Sequence, residues 1–256
     1  IPADAAAVIV AGPHRALLTP EVESLTRYLR AGGSVALLLE PRAEHGTDEL
    51  LQSVGIQVND DVVLDLSPFG TMFGGGPTTA VATEFSEHPI TAALRGSNAV
   101  FARARSLSLN PGTAAETWAL VRTGRYAWGE SGDVQDGTEM AWDEGEVRGP
   151  VTLAVSAEQP SEGGSDRTTR IFVSGDSSFA ANQYLSLSAN RNLILNAIGW
   201  LAAQDDKVAI RPRRRGANLL VLSPGQREGI AFFVLYALPV MLLSLGLGIW
   251  LVRRQR

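Results

Sequence analysis

Residues 6–41 read AAVIVAGPHRALLTPEVESLTRYLRAGGSVALLLEP, and their punctuation decides the fold. The runs Ala6 to Pro13 and Ser34 to Pro41 are continuously apolar and not alternating. Strands of that kind are covered on both faces, as in a parallel sheet between layers of helix. Between them Thr19 supplies a cap, Pro20 the first helical position and Glu21 an acid in the first turn, while Gly32 and Gly33 close the helix. That helix turns Val22, Leu25 and Leu29 toward the sheet. The unit is β-α-β, and the expected class is α/β, with an open, mostly parallel sheet flanked by helices.

Downstream, Asp48 to Val54 reads as a short helix ended by Gly55, and Val62 to Leu66 as a third strand. Periodicity stops in SPFGTMFGGGPTT, residues 67–79, and returns in candidate strands at Val100 to Leu109 and Trp118 to Arg122. Residues 129–150 form an acidic, Gly-containing loop. Val151 to Ser156 and Arg170 to Ser174 are strands joined by the polar stretch EQPSEGGSDRT. In Asn190 to Ala203 one helical face carries Leu193, Ile194, Ala197, Ile198 and Leu201, which predicts packing on the sheet. A last short strand is expected at Lys207 to Ile210.

The chain ends on an apolar run. From Ile230 to Val252, 23 residues carry no charge, and Arg253, Arg254 and Arg256 follow. As one helix they would reach roughly 34 Å, enough to cross a hydrocarbon core about 30 Å thick. Ser244, Gly246 and Gly248 would let a neighbouring helix approach closely. Arg253 and Arg254 favour a cytoplasmic C-terminus, yet Arg211, Arg213, Arg214, Arg215 and Arg227 precede the run. Counted over that wider window, the charges favour a tail-anchored cytoplasmic protein instead. The sequence opens at Ile1 with a strand following at once, which suggests the C-terminal portion of a longer precursor.

Composition removes several chemistries. With no cysteine there can be no disulfide, thiolate metal site or Cys nucleophile. A net charge of −5 does not suit nucleic acid. His14, His45 and His88 stand singly, so no metal site is indicated. The acids between Asp133 and Glu146 satisfy no calcium-loop register. Gly74 to Gly76 lacks the lysine of a phosphate loop, the sole lysine being Lys207. No cofactor is expected.

The sharpest local feature is VSGDSSFAAN, residues 173–182, at the carboxyl end of a predicted strand, where open α/β sheets place ligands. Gly175, Asp176, Ser177 and Asn182 are therefore the candidate ligand- or partner-binding residues. Gly-Asp-Ser also resembles the nucleophile block of GDS-type lipases and esterases, but a serine hydrolase needs a base, and no His follows His88. The plainer reading is that Asp176, Ser177 and Asn182 cap local turns. The basic stretch Arg211, Arg213, Arg214, Arg215 is suited to anionic headgroups, as are Arg253 and Arg254.

Five stretches in order, LTPEVESLTRYLRAGGSVALLLEP, EHPIT, FARARSLSL, GDSSFAAN and NRNLILNAIGWLAAQDDKVAIRPR, followed by the terminal apolar run, resemble the GldG-type auxiliary subunits of ABC transporters, the gliding-motility-associated family. The resemblance covers residues 6–256. It implies a bacterial inner-membrane protein with an extracytoplasmic α/β domain similar to glutamine-amidotransferase-like and flavodoxin-like folds. A separate permease and a separate P-loop ATPase would be its partners. The family has no catalytic residues to transfer. The resemblance implies an N-terminal membrane helix, and a region after it, ahead of Ile1. The organisation expected is an extracytoplasmic domain over residues 1–210, an Arg-rich linker over 211–229, a transmembrane helix over 230–252 and a basic cytoplasmic tail over 253–256. The function expected is non-catalytic: an auxiliary or binding subunit of a transport or motility complex. The alternatives are a membrane-anchored serine hydrolase and a tail-anchored scaffold.

Overall fold

Strand β1 (Val8–Ala11), helix α1 (Thr19–Arg30) and strand β2 (Ser34–Leu38) form where the punctuation of residues 6–41 sets them. β1 runs parallel to β2, with Val8 opposite Val35 and Ala11 opposite Leu38. The start of α1 differs in detail from expectation. Thr19 is the first helical residue and Leu18 the cap position, and the Glu21 carboxylate satisfies the Leu18 N–H at 2.8 Å. At the other end Gly32 adopts φ +85°, the left-handed conformation that lets the chain turn into β2.

The computed structural model describes residues 1–2, 4–68, 76–134, 140–161, 167–202 and 232–254. The chain divides into two units, Ile1–Arg215 and Gly216–Arg256. In the first, every residue of β2 is buried, and alternation sends its side chains into two separate cores. Val35, Leu37 and Leu39 join Leu25 and Leu29 of α1. Ala36 and Leu38 join a larger cluster that includes Phe172, Phe179, Leu193 and Trp200.

The remaining elements are α2 (Asp48–Ser53), β3 (Ile56–Val58), β4 (Val62–Asp65), β5 (Ala80–Phe85), β6 (Ala99–Phe101), β7 (Leu107–Leu109), β8 (Glu116–Thr123), β9 (Ala127–Glu130), β10 (Val147–Arg148), β11 (Thr152–Pro160) and β12 (Thr168–Ser174). The main sheet has the order β1-β2-β12-β11-β8-β5-β6. Among the described residues only β1 with β2 and β2 with β12 are parallel. β12 with β11, β11 with β8, β8 with β5 and β5 with β6 are antiparallel. The sheet is therefore mixed, and the expectation of a mostly parallel one is corrected. An apolar run reports burial on both faces, not strand direction. β11 also extends through Glu158 and Gln159, residues expected in a polar linker, and pairs with β12 as a hairpin.

Two small sheets, β10-β9-β4 and β3-β7, stand apart from the main one. The single strand expected over Val100 to Leu109 is broken into β6 and β7, and the buried break holds Ala104, Arg105 and Ser106. The expected strand Val62 to Leu66 exists as β4, but it pairs with β9 outside the main sheet.

After β12 come α3 (Asn182–Leu185) and α4 (Asn190–Leu201). α4 buries Leu193, Ile194, Ala197 and Leu201 as its pattern predicts, together with Trp200. Its buried first residue, Asn190, accepts the Val100 N–H at 2.8 Å and donates to the Val100 carbonyl at 2.8 Å, which ties the helix to β6. The strand expected at Lys207 to Ile210, the Arg211 to Arg215 cluster, Gly74 and Gly75 lie outside the described residues.

In the second unit a π-helical turn, Phe233–Ala237, leads into α5 (Leu238–Arg254). From Phe233 onward the apolar run is thus helical, but as two segments and not as one α-helix. α5 alone has 17 residues, a rise of roughly 25 Å against the roughly 30 Å of a hydrocarbon core. Among the described residues no helix is long and apolar enough to cross a membrane. Within α5, Ser244 Oγ donates to the Val240 carbonyl at 2.8 Å, a Cβ placed on Gly246 would meet nothing within 4 Å, and Gly248 lies one turn before Leu251. The guanidinium of Arg254 lies 5.1 Å over the Trp250 ring.

The packing of α4 predicts a contrast between neighbours. Leu193→Ala should lower stability by about 2–5 kcal/mol, as a buried truncation does, whereas Leu195→Ala, at a position 58% exposed, should stay within about 0.5 kcal/mol. Urea denaturation of the full chain in detergent, followed by tryptophan fluorescence, measures both.

Candidate functional site

Three turns meet at the carboxyl edge of the parallel strands: Gly12 after β1, Glu40 after β2 and Gly175 to Ser178 after β12. The ladder runs on into them, through Gly12 N–H to the Leu38 carbonyl and Leu39 N–H to the Ser174 carbonyl, both at 2.8 Å. Ser177 Oγ donates a short hydrogen bond to Glu40 Oε1. Gly12 makes room for it: a Cβ there would lie 2.9 Å from Ser177 Oγ, and Gly12 has φ +59°.

Asp176 is 0% exposed. Its carboxyl accepts the Ala102 N–H at 3.1 Å and the Ser178 N–H at 2.6 Å. Burial, with a smaller push from Glu40, raises its pKa from 3.8 to about 6 despite those bonds. Ser178 Oγ lies buried beside this carboxyl without a hydrogen bond of normal geometry.

Behind the turns Arg105, 4% exposed, binds chiefly carbonyls. Its Nε donates to Asn59 O at 2.8 Å, and its Nη1 to Glu40 O at 3.2 Å and Ala43 O at 3.0 Å. Asp60 stands 3.7 Å from Nη2. The backbone N–H of Arg105 donates to the Gly175 carbonyl at 2.9 Å, and a Cβ on Gly175 would collide with the Arg105 carbonyl oxygen. Glycine is thus required by this close approach. Beside Arg105, buried Asp61 accepts the Ser106 N–H at 2.7 Å, and its burial raises its pKa. Buried His45 sits with Nδ1 2.8 Å from Thr47 Oγ1 and Nε2 3.5 Å from Asp48, and its burial lowers its pKa. Arg42 reaches from the same turn to the carbonyls of Glu130, Ser131 and Gly132. It thereby folds the start of the acidic loop against the edge.

A family model for ABC-type uncharacterized transport systems, ABC_transp_aux, matches residues 1–197. The chain belongs to this family. Of solved structures, the chain is similar to the "mmIFT52 N-terminal domain" at 20% identity and a TM-score of 0.58, covering 77% of this chain and 76% of that one. At that identity the likeness shows the fold alone. A search of curated proteins gives no match.

In this ABC transport auxiliary chain the structure brings Gly175, Asp176 and Ser177 together, but not Asn182, which is exposed as the first residue of α3, a helix whose cap position is Ala181. Asp176 accepts the N–H of the turn that follows it, whereas Ser177 donates to Glu40. The histidines do not serve Ser177. His88 is buried between Trp118 and Trp200, His45 bonds Thr47, and His14 is exposed. Among the described residues no group of acids and histidines is placed to hold a metal ion. Sequence reasoning missed Glu40 and Arg105. Both carried a signal: Glu40 ends a buried strand at the edge where Gly175 to Ser178 lie, and Arg105 interrupts an apolar run. A cavity of about 880 Å³ is elsewhere, between α1 and the amino end of β12, lined by Ser24, Arg27, Tyr28, Gly32 and Arg167.

Asp176 makes a signed prediction. The folded chain keeps this proton to about pH 6, whereas the unfolded chain releases it near 3.8. Between those values the folded state binds more protons, so this group's contribution to stability falls as pH rises and is level above about 6. The stability of the wild type relative to Asp176→Asn should therefore decline from pH 4 to pH 6.5. Urea titrations across that range measure it, and a constant difference would contradict the assignment.

Proposed function

We propose that the chain is a non-catalytic auxiliary or binding subunit of a bacterial ABC-type transport or motility complex. The observation that carries this reading is the family match over residues 1–197. The site agrees with it in chemistry. Ser177 is held by a carboxylate and not by an imidazole, and its neighbours bind backbone groups, which is the arrangement of a rigid, shaped edge. On this reading residues 1–210 form an extracytoplasmic domain, 211–229 a basic juxtamembrane linker and 230–252 the anchor, with 253–256 as a cytoplasmic tail. The exposed apolar side chains along Phe232 to Trp250 support anchoring, since water would not tolerate that surface on an isolated helix. The small residues Ser244, Gly246 and Gly248 then let neighbouring permease helices approach closely, and a separate P-loop ATPase drives the complex.

Purification of the tagged full chain from native membranes in mild detergent tests this. A permease and a P-loop ATPase should co-purify, and recovery of the chain alone would overturn the proposal. Protease added to spheroplasts should cleave the domain, and protection would favour a tail-anchored scaffold.

One contact favours a second reading. The Ser177–Glu40 hydrogen bond is the start of a nucleophile–base pair, and a membrane-anchored hydrolase would use it. A fluorophosphonate probe separates the two: no labelling of Ser177 is expected, and labelling abolished by Ser177→Ala would replace the non-catalytic proposal.

A further inference from the structure

A concave site lies on the α4 side of the sheet, toward the end of β12 away from Gly175. It is a cavity of about 240 Å³ whose walls include His88, Trp118, Trp200, Glu116, Glu158 and Arg170. That volume is below the range of about 300–1,000 Å³ usual for drug-sized ligands. It suits a single side-chain-sized group.

Strand register builds its polar wall. Glu158 of β11 lies directly opposite Glu116 of β8 on one side and Arg170 of β12 on the other. Like charges directly opposed across a ladder destabilise it unless something neutralises them. Arg170 serves Glu158, with Nε 3.3 Å from Oε1, while its Nη1 donates to the Trp200 carbonyl at 2.7 Å and its guanidinium lies 5.0 Å over the Trp200 ring. Glu87, also on the rim, is paired with Arg95 at 2.7 Å. Glu116 accepts the Trp118 Nε1–H at 3.0 Å, and among the described residues it has no ion-pair partner. The wall is left with one exposed carboxylate that no cationic side chain among the described residues pairs with.

The apolar wall fits the same kind of ligand. Trp118 is 38% exposed and lies beside Glu116, an aromatic face next to a negative charge. Indole is the strongest of the side-chain partners for a cation. His88 is buried between the two indoles, with ring centroids 5.8 Å from Trp118 and 5.0 Å from Trp200. Its burial, and then Arg170, hold its pKa down to about 4, so it is neutral near pH 7 and adds no positive charge.

We propose that this pocket binds a monovalent organic cation, a guanidinium or alkylammonium group seated on Trp118 and paired with Glu116. The test uses the full chain in detergent with its tryptophan indoles labelled for NMR, titrated with propylguanidinium and with its neutral isostere propylurea. The Trp118 N–H signal should shift saturably with propylguanidinium and not with propylurea. Glu116→Gln, which keeps the shape and the acceptor for Trp118, should weaken binding at least about tenfold. Trp118→Leu, read on the Trp200 indole, should lose the response. Equal shifts with propylurea, or unchanged affinity in Glu116→Gln with the other indole signals at their wild-type positions, would overturn the proposal. Titration with acetyl-arginine-methylamide distinguishes the sources: tighter binding of this peptide-like cation assigns the pocket to an arginine of a polypeptide, and tighter binding of propylguanidinium to a free solute.

Discussion

The two-sided burial of β2 is the constraint on which the rest depends. A strand with no solvent face must have an element on each side of it and a hydrogen-bonded neighbour at each edge. Val35, Leu37 and Leu39 require α1, Ala36 and Leu38 require α4, and β1 and β12 supply the two ladders. Because β1, β2 and β12 are parallel, their carboxyl ends emerge together, and three chain reversals are forced into one small region. Backbone groups there leave the ladder and need other partners. The buried Arg105 and Asp176 supply them, so the polar cluster is a consequence of the same packing that makes the core.

Part of this was legible in the sequence. Residues 6–41 gave α1 and both its strands because caps, glycines and apolar runs act locally, and the four-residue spacing of Leu193, Ala197 and Leu201 marked the inner face of α4. Strand direction was not legible. Val151 to Ser156 looks the same whether its neighbour runs with it or against it, and the hairpin with β12 hides within polar residues Glu158 to Thr168. The site was half readable. Asp176 and Ser177 stood out by their position after a buried strand, but their partners, Glu40 and Ala102, come from 137 and 74 residues away in sequence, and no local pattern connects them.

The two polar regions differ in how their charges are treated. At the carboxyl edge a cation faces mostly carbonyl oxygens, and the buried acids Asp176 and Asp61 bond backbone N–H groups, so the charges are consumed internally. At the Trp118 pocket, register alone sets Glu116 against Glu158, and Arg170 matches only one of them. The first arrangement stiffens the fold, and the second leaves a charge facing solvent.

Arg105 has one more effect. Its side chain grips the turn after β2 through Glu40 and Ala43 and the approach to β4 through Asn59, while its backbone holds the turn after β12 through Gly175. Three segments distant in sequence are thus pinned to one rivet. None can be displaced without dragging the others, so a load applied at any one of them is shared across the whole rim of the sheet.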